Sequence, residues 1–282
     1  MFSVVTISRD RPAAFLNHLL SLKNQITSEQ DYWELIVLDD STEGNDGQEQ
    51  VIKKVCSDMP ENCTVRAFRA LERKVYGGEG KTINFGVKQT TGDPIFVLCG
   101  DDIYPSYHLF MMHSIWNKFI DAGYTDRVLG WPLYHLKPFI ALDSNMILNS
   151  NIDSVPEVDQ GFLALRQARF PDTPYRGLDV ADTLVDDRCC FSREFLFNVK
   201  GWPEWNGCWW RDAWFQSIAH NRGYKFHCDW GSWSLHQWHQ RRAGMSVGDG
   251  EAKAYYDKHA TTALTSNEDN WGEQKIREIE IG

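Results

Sequence analysis

Through its first hundred residues the chain alternates short apolar, β-branched runs with segments whose apolar residues recur every three or four positions. Phe2 to Ile7 is the first run. Polar Ser8-Arg9-Asp10-Arg11 follows, and Pro12 suits the first turn of a helix, where its missing N–H costs nothing. Phe15, Leu16, Leu19 and Leu20 then give that helix one apolar face. Trp33 to Leu38 predicts a second strand, which ends in Asp39-Asp40 before the turn-rich Ser41 to Gly47, and Val51, Ile52 and Val55 mark a second helix. Thr64 to Phe68 predicts a third strand, Glu72 to Gly80 a charged, glycine-rich loop, and Lys81 to Gln89 a third helix. The fourth apolar run, Ile95 to Pro105, stands behind the turn Thr91-Gly92-Asp93-Pro94 and carries Asp101-Asp102 at its carboxyl end. Strands alternating with helices predict an α/β fold with a mostly parallel central sheet and helices on both faces, where right-handed crossovers put them.

Beyond residue 105 the order is less regular. Tyr107, Phe110, Met111, Ile115 and Phe119 predict a helix over Ser106 to Asp121, with Gly123 near its end. Residues 131 to 185 hold many prolines and polar residues with little periodicity, which predicts an elaborated segment shaping a second substrate's pocket. A strand-like Arg188 to Phe191, the segment Glu194 to Val199, a Trp-rich loop from Gly201 to Trp210, and a helix over Asp212 to Asn221 closed by Gly223 come next. The residues after about Gly244 are polar and aperiodic. The expected organisation is one domain in two halves, 1–105 and 106–244, followed by a tail or lid at 245–282.

Size and charge narrow the function. A chain of 282 residues buries a substantial core, and its net charge of −10 argues against a generic nucleic-acid coat or an anionic membrane surface. No apolar run approaches the roughly 20 residues of a membrane helix. Met1 leads straight into a strand-like segment, so no secretory signal is expected. Seven scattered cysteines without CxxC spacing fit a reducing compartment, and a soluble cytoplasmic protein is the expectation. Most tryptophans fall between Trp202 and Trp238, where flat faces serve either sugars and bases or a large aromatic core.

The acids decide the chemistry. In open α/β sheets the ligand crevice lies outside the carboxyl ends of the strands, and adjacent carboxylates there suit a hard divalent cation that keeps room for phosphates. Five places in order carry a resemblance: Val4-Val5-Thr6-Ile7 before Arg11-Pro12; Glu34 to Ser41 with Asp39-Asp40; Asn84-Phe85-Gly86 with Thr91-Gly92-Asp93; Gly100-Asp101-Asp102; and Trp210-Arg211-Asp212 with Gly223-Tyr224. Over roughly residues 2 to 240 the chain resembles the family 2 glycosyltransferases of the GT-A fold.

That resemblance implies a transfer of sugar from a nucleoside diphosphate, which needs the diphosphate neutralised, the nucleoside held and the acceptor hydroxyl deprotonated. Asp101 and Asp102 are similar to the family's DxD metal motif, with Cys99 standing where the first acid usually is, so the resemblance leaves open which carboxylate binds the ion directly. Mn²⁺ or Mg²⁺ is the expected cofactor. The competing reading is a turn with exposed acids. Asp39-Asp40 resembles the nucleoside-recognising pair, and a carboxylate accepting from a uracil N3–H points to UDP; a mere turn start or helix cap is the alternative. Thr6 and Ser8 would lie beside the same pocket, and Asn84 and Gly100 join the donor set. Gly77-Gly78-Glu79-Gly80-Lys81-Thr82 imitates the end of a P-loop, but Val75 stands where that motif needs glycine. Lys81 remains a candidate point charge for the diphosphate.

Asp212 is the candidate general base, in the place of the acid that takes the acceptor proton in inverting members; as an N-cap it would be structural instead. Trp209, Trp210 and Arg211 are the candidate acceptor contacts. His236 is the candidate third metal ligand, with His239 as the alternative, and Arg241 would steady the diphosphate. The expected partners are a UDP-sugar and a hydroxyl-bearing acceptor, a nucleic-acid acceptor being disfavoured by charge. A nucleotidyltransferase and a catalytically silent sugar-nucleotide-binding module are the competing functions.

Overall fold

A computed structural model of the chain describes residues 1–26, 31–72, 79–131, 133–135, 178–181, 189–204, 211–229, 232–237 and 249–282. Its elements run β1 (Phe2–Ser8), α1 (Pro12–Lys23), β2 (Trp33–Asp39), α2 (Gly47–Cys56), β3 (Cys63–Ala70), α3 (Glu79–Gln89), β4 (Ile95–Cys99), β5 (Asp102–Ile103) and α4 (His108–Asp121). They continue with β6 (Arg127–Gly130), β7 (Leu133–His135), β8 (Leu178–Ala181), β9 (Cys189–Phe191), α5 (Arg193–Asn198), α6 (Arg211–Asn221), β10 (Lys225–Asp229), β11 (Ser234–His236), α7 (Asp249–His259) and β12 (Ile276–Ile279).

Among the described residues nine strands form the main sheet, in the order β12-β3-β2-β1-β4-β9-β6-β10-β8. β3, β2, β1 and β4 are parallel neighbours, as the βα alternation requires. β9 then runs antiparallel to both β4 and β6, a reversal no local pattern announces. Every residue of β1 and of β2 is buried, which is why each reads as a continuous apolar run rather than an alternating one. The alternation reappears in the packing. Phe2, Val4, Leu35 and Val37 pack against Phe15, Leu19 and Leu22 of α1, Ile52 of α2 and Met112 of α4. Val5, Ile7, Ile36 and Leu38 face the other way, onto Ile83 and Val87 of α3, with Phe195 of α5 and Phe215 of α6 in the same cluster. Gly86 permits the close seat of α3, since a Cβ there would stand 2.7 Å from Leu38 Cδ1.

Two expectations are corrected. The run expected as one strand from Ile95 to Pro105 ends at Cys99; the chain turns at Gly100-Asp101, and Asp102–Ile103 joins a separate three-stranded sheet, β5-β11-β7. Of the segment 245–282, expected to be a tail or lid, the described residues 249–282 return to the core. Within them β12 pairs antiparallel with β3 and forms the outer strand of the sheet, and Trp271 and Ile279 are buried. Among the described residues no helix is long and apolar enough to cross a membrane.

Candidate active site

The register of the parallel strands sets the site. Ser8 lies beside Asp39 and Ile7 beside Cys99, so both acid pairs leave the sheet along one edge, at the carboxyl ends of β2 and β4, the strands on either side of β1. Gly100 makes the turn after β4: its N–H donates to the Ile7 carbonyl at 2.9 Å, and a Cβ would lie 2.4 Å from that oxygen. Only glycine fits so close to backbone.

Asp101, Asp102 and His236 converge, their ligand atoms all within 4.8 Å of one another. Asp101 is 3% exposed and Asp102 fully buried, so these are not the solvated acids of an ordinary turn. His236 Nδ1 stands 2.9 Å from Asp102 Oδ1 and 3.6 Å from Asp101 Oδ1. Opposite ligands of a hard octahedral cation lie about 4.2 Å apart when each bond is about 2.1 Å. Two carboxylates and an imidazole at this spread therefore fit such an ion with small adjustments, and the oxygen-rich donor set suits Mn²⁺ or Mg²⁺. Three neighbours orient the acids. Arg11 forms an ion pair with Asp101 Oδ2, the Cys99 thiol donates to Asp101 Oδ1 at 2.9 Å, and the Tyr104 hydroxyl donates to Asp102 Oδ2 at 3.4 Å.

Asp40, at the end of β2, is buried; its Oδ1 accepts from the Thr82 hydroxyl at 2.7 Å and its Oδ2 stands 3.7 Å from Arg9. Asp39 faces the other side. It accepts from the Ser41 N–H at 2.9 Å and pairs with Arg69, its neighbour across the β2–β3 ladder, at 3.7 Å. Burial raises its pKa, against the pull of the Ser41 hydrogen bonds and of Arg69. The Ser8 hydroxyl is buried without a hydrogen-bond partner among the described residues. Lys81, in the first turn of α3, faces Glu72 at 3.8 Å.

Two members of the expected donor set have other work. Thr6 is buried, its hydroxyl 2.7 Å from His18 Nε2, while His18 Nδ1 lies 2.7 Å from the Asp102 carbonyl oxygen. Burial lowers the His18 pKa to about 4, so a neutral imidazole bridges β1 to the turn that carries the acids. Asn84 is fully buried and holds the loop after α5: it accepts from the Trp202 N–H at 2.6 Å and donates to the Trp202 carbonyl and to Glu204, both at 2.7 Å. Trp202 stacks on Phe215 at 4.2 Å and belongs to the core.

Sequence reasoning missed Arg11, His18 and Gln237. Arg11 was visible only as part of an Arg-Pro motif, and the other two carry no local signal. Asp212 is the second residue of α6, its side chain and that of Arg211 lying outside the described part. Trp209, Trp210, His239 and Arg241 fall outside the described residues.

Residues 3–128 match the family model described as Glycosyl transferase family 2. No curated protein matches the chain. Among solved structures the chain is similar to S. aureus TarS 1-349 in complex with UDP, with a TM-score of 0.56 and 17% identity, covering 84% of this chain and 60% of that one. It is similar to the UDP-GlcNAc complex of the same protein at a TM-score of 0.56 and 16% identity, covering 86% and 59%. The chain thus spans about three fifths of the length of these structures. At such identities the likeness is one of fold, the GT-A arrangement.

Proposed function

We propose, from the premise that over residues 3–128 the chain belongs to glycosyl transferase family 2, that it moves a sugar from a UDP-sugar to an acceptor hydroxyl with the aid of Mn²⁺ or Mg²⁺ and with inversion. The observation that carries this reading is the convergence of Asp101, Asp102 and His236 at the carboxyl edge of the sheet. UDP as carrier is supported by the UDP and UDP-GlcNAc complexes of the similar TarS structures.

A divalent ion held by these three residues supplies positive charge beside the leaving diphosphate. Asp40, fixed by Thr82, accepts from the uracil N3–H, and the buried Ser8 hydroxyl offers a further polar contact at the same edge. Lys81 contributes a point charge from the start of α3. Asp212 takes the proton of the attacking hydroxyl from the first turn of α6, and Trp209, Trp210 and Arg211 flank the acceptor. Arg241 steadies the diphosphate. Residues 1–105 form the donor half and 106–244 the acceptor half, with 245–282 tied to the donor half through β12.

Thermal shift with UDP-, GDP- and ADP-sugars, each with and without Mn²⁺, tests the donor. A UDP-sugar should raise Tm with Mn²⁺ present and lose most of that effect in Asp102→Asn, because a ligand that binds only the folded chain stabilises it. Equal stabilisation without metal refutes the metal role, and no response to any nucleotide refutes the whole reading. Asp212→Asn separates an enzyme from a binding module: donor binding should persist while transfer collapses.

A further inference from the structure

The Asp101 carboxylate is shared between neighbours of different kinds. Oδ2 takes the guanidinium Nη1 of Arg11 in a direct ion pair, whereas Oδ1 faces the Cys99 thiol and His236. Arg11 stands at the N-cap of α1, and its backbone is fixed on both sides, the N–H donating to Gln48 Oε1 at 2.7 Å and the carbonyl accepting from the Phe15 N–H at 2.9 Å. Its side chain is 31% exposed, so the guanidinium reaches a buried acid and still meets solvent. A guanidinium has five N–H donors in a planar fork, more than one carboxylate oxygen can use, and that fork matches phosphate oxygens.

We infer that Arg11 is a second, built-in cation of the diphosphate site, one that cancels a carboxylate charge and offers its remaining N–H groups to the phosphates. The inference rests on the reading above. Because the divalent ion uses the His236 side of Asp101 and Arg11 the opposite oxygen, the two are neighbours rather than alternatives. Like charges so close repel, so Arg11 weakens binding of the ion alone. The same two charges together attract a nucleoside diphosphate, and the fork adds charge-assisted hydrogen bonds. Arg11 thus ties tight cation binding to the presence of nucleotide.

The test is the sign of two effects in Arg11→Gln. Calorimetric titration with Mn²⁺ alone should show binding about tenfold tighter than wild type, and titration with UDP at saturating Mn²⁺ should show binding about tenfold weaker, each about 1.4 kcal/mol in opposite directions. Uridine, which lacks phosphate, should bind both proteins alike. Arg11→Lys keeps the charge without the fork, so it should retain wild-type Mn²⁺ affinity and lose part of the UDP affinity. A purely structural Arg11 predicts that both ligands weaken in Arg11→Gln, and an idle one that neither changes; either result overturns the inference while leaving the function standing. Wild-type protein that binds neither Mn²⁺ nor UDP overturns both.

Discussion

Asp102 and His236 lie directly opposite each other on antiparallel strands, and their side chains meet at 2.9 Å although 134 residues separate them in the chain. The cross-strand ladder chooses this pair, because a slip of one residue turns a side chain to the other face of its sheet. With β5 only two residues long, the ladder alone holds the register weakly. Gln237 supplies the lock. Its backbone N–H and its Nε2 both reach the Asp101 carbonyl, at 3.0 and 3.1 Å, Nε2 also reaches the Ala14 carbonyl at 2.9 Å, and Oε1 accepts from Asn17 at 2.8 Å.

Gln237→Ala should therefore weaken Mn²⁺ binding without removing any ligand. Residues that orient a metal ligand typically matter by about 10–100-fold in affinity, and the lower end is expected here because the backbone bond survives. His236→Ala should cost more than Gln237→Ala. Calorimetric titration of both variants with Mn²⁺ checks the order, and equal affinities for Gln237→Ala and wild type would remove Gln237 from the site.

Asn84 gives a prediction against its sequence-based role as a donor contact. Its three side-chain hydrogen bonds among the described residues end on Trp202 and Glu204, and Gly201, at φ +68°, comes so near that a Cβ would stand 2.1 Å from Asn84 Oδ1. Asn84→Ala strands the buried Trp202 N–H, while the Trp202 carbonyl keeps the Asn267 amide at 2.6 Å, and this should lower unfolding stability by about 1–3 kcal/mol. UDP affinity of the folded variant should stay within about twofold of wild type, under half a kcal/mol. Denaturant unfolding and UDP titration read the two separately.

The first half of the fold was legible because β1, β2 and β4 are central strands, buried along almost their whole length, whose apolar runs and turn residues are strong local signals. The acids were legible for the same reason: Asp39-Asp40 and Asp101-Asp102 each follow such a run. Legibility failed wherever a partner lies far along the chain. β6, β10 and β11 are short, and β12 shows only two apolar residues around Arg277-Glu278, so none carries a pattern of its own. The α1 face was read only in part. Phe15 and Leu19 are buried as expected, but His18 and Leu22 complete the face, while Leu16 and Leu20 stay half-buried. A polar His18 breaks the apolar spacing, and only Thr6 and the Asp102 carbonyl explain it.

The return of the C-terminus is fastened by charge. Glu49 of α2 accepts from Arg277 of β12, and this hydrogen bond leads the causes that lower its pKa to about 2; Lys53 and Arg69 also reach it, at 3.0 and 3.1 Å. Arg277 is 45% exposed, so the pair is screened by solvent. A double-mutant cycle of Glu49→Gln and Arg277→Ala should give a coupling of about 0.5–1 kcal/mol near neutral pH. The folded pKa lies below the ordinary carboxylate value, so the coupling is present above about pH 4.5 and fades as pH falls toward 2. Salt at about 1 M should remove most of it. Persistence of the full coupling in high salt would mean that packing, not charge, holds β12.

His108 sets the acid limit of the fold in the same direction but in a different window. It is fully buried at the start of α4, with Nδ1 2.6 Å from the Ser232 hydroxyl and its ring against Tyr104 and Trp131. Burial lowers its pKa from 6.5 to about 3. Below about pH 6.5 the unfolded chain therefore takes up a proton that the folded chain refuses, and stability falls by about 1.4 kcal/mol per pH unit for each such histidine until the folded group titrates. His18 adds a second proton over much of that range. Glu34 adds its own loss only below about pH 4.5: burial raises its pKa, but hydrogen bonds from Ser3, Thr91 and Gly92 bring it below the ordinary value. Between pH 6.5 and 5 the slope thus belongs to the buried histidines. His108→Asn, with an amide oxygen to meet Ser232, should lower stability at pH 7.5 yet flatten the slope by about one proton. Urea unfolding from pH 7.5 to 5 measures it, and parallel curves for variant and wild type would show that His108 is protonated in the folded chain.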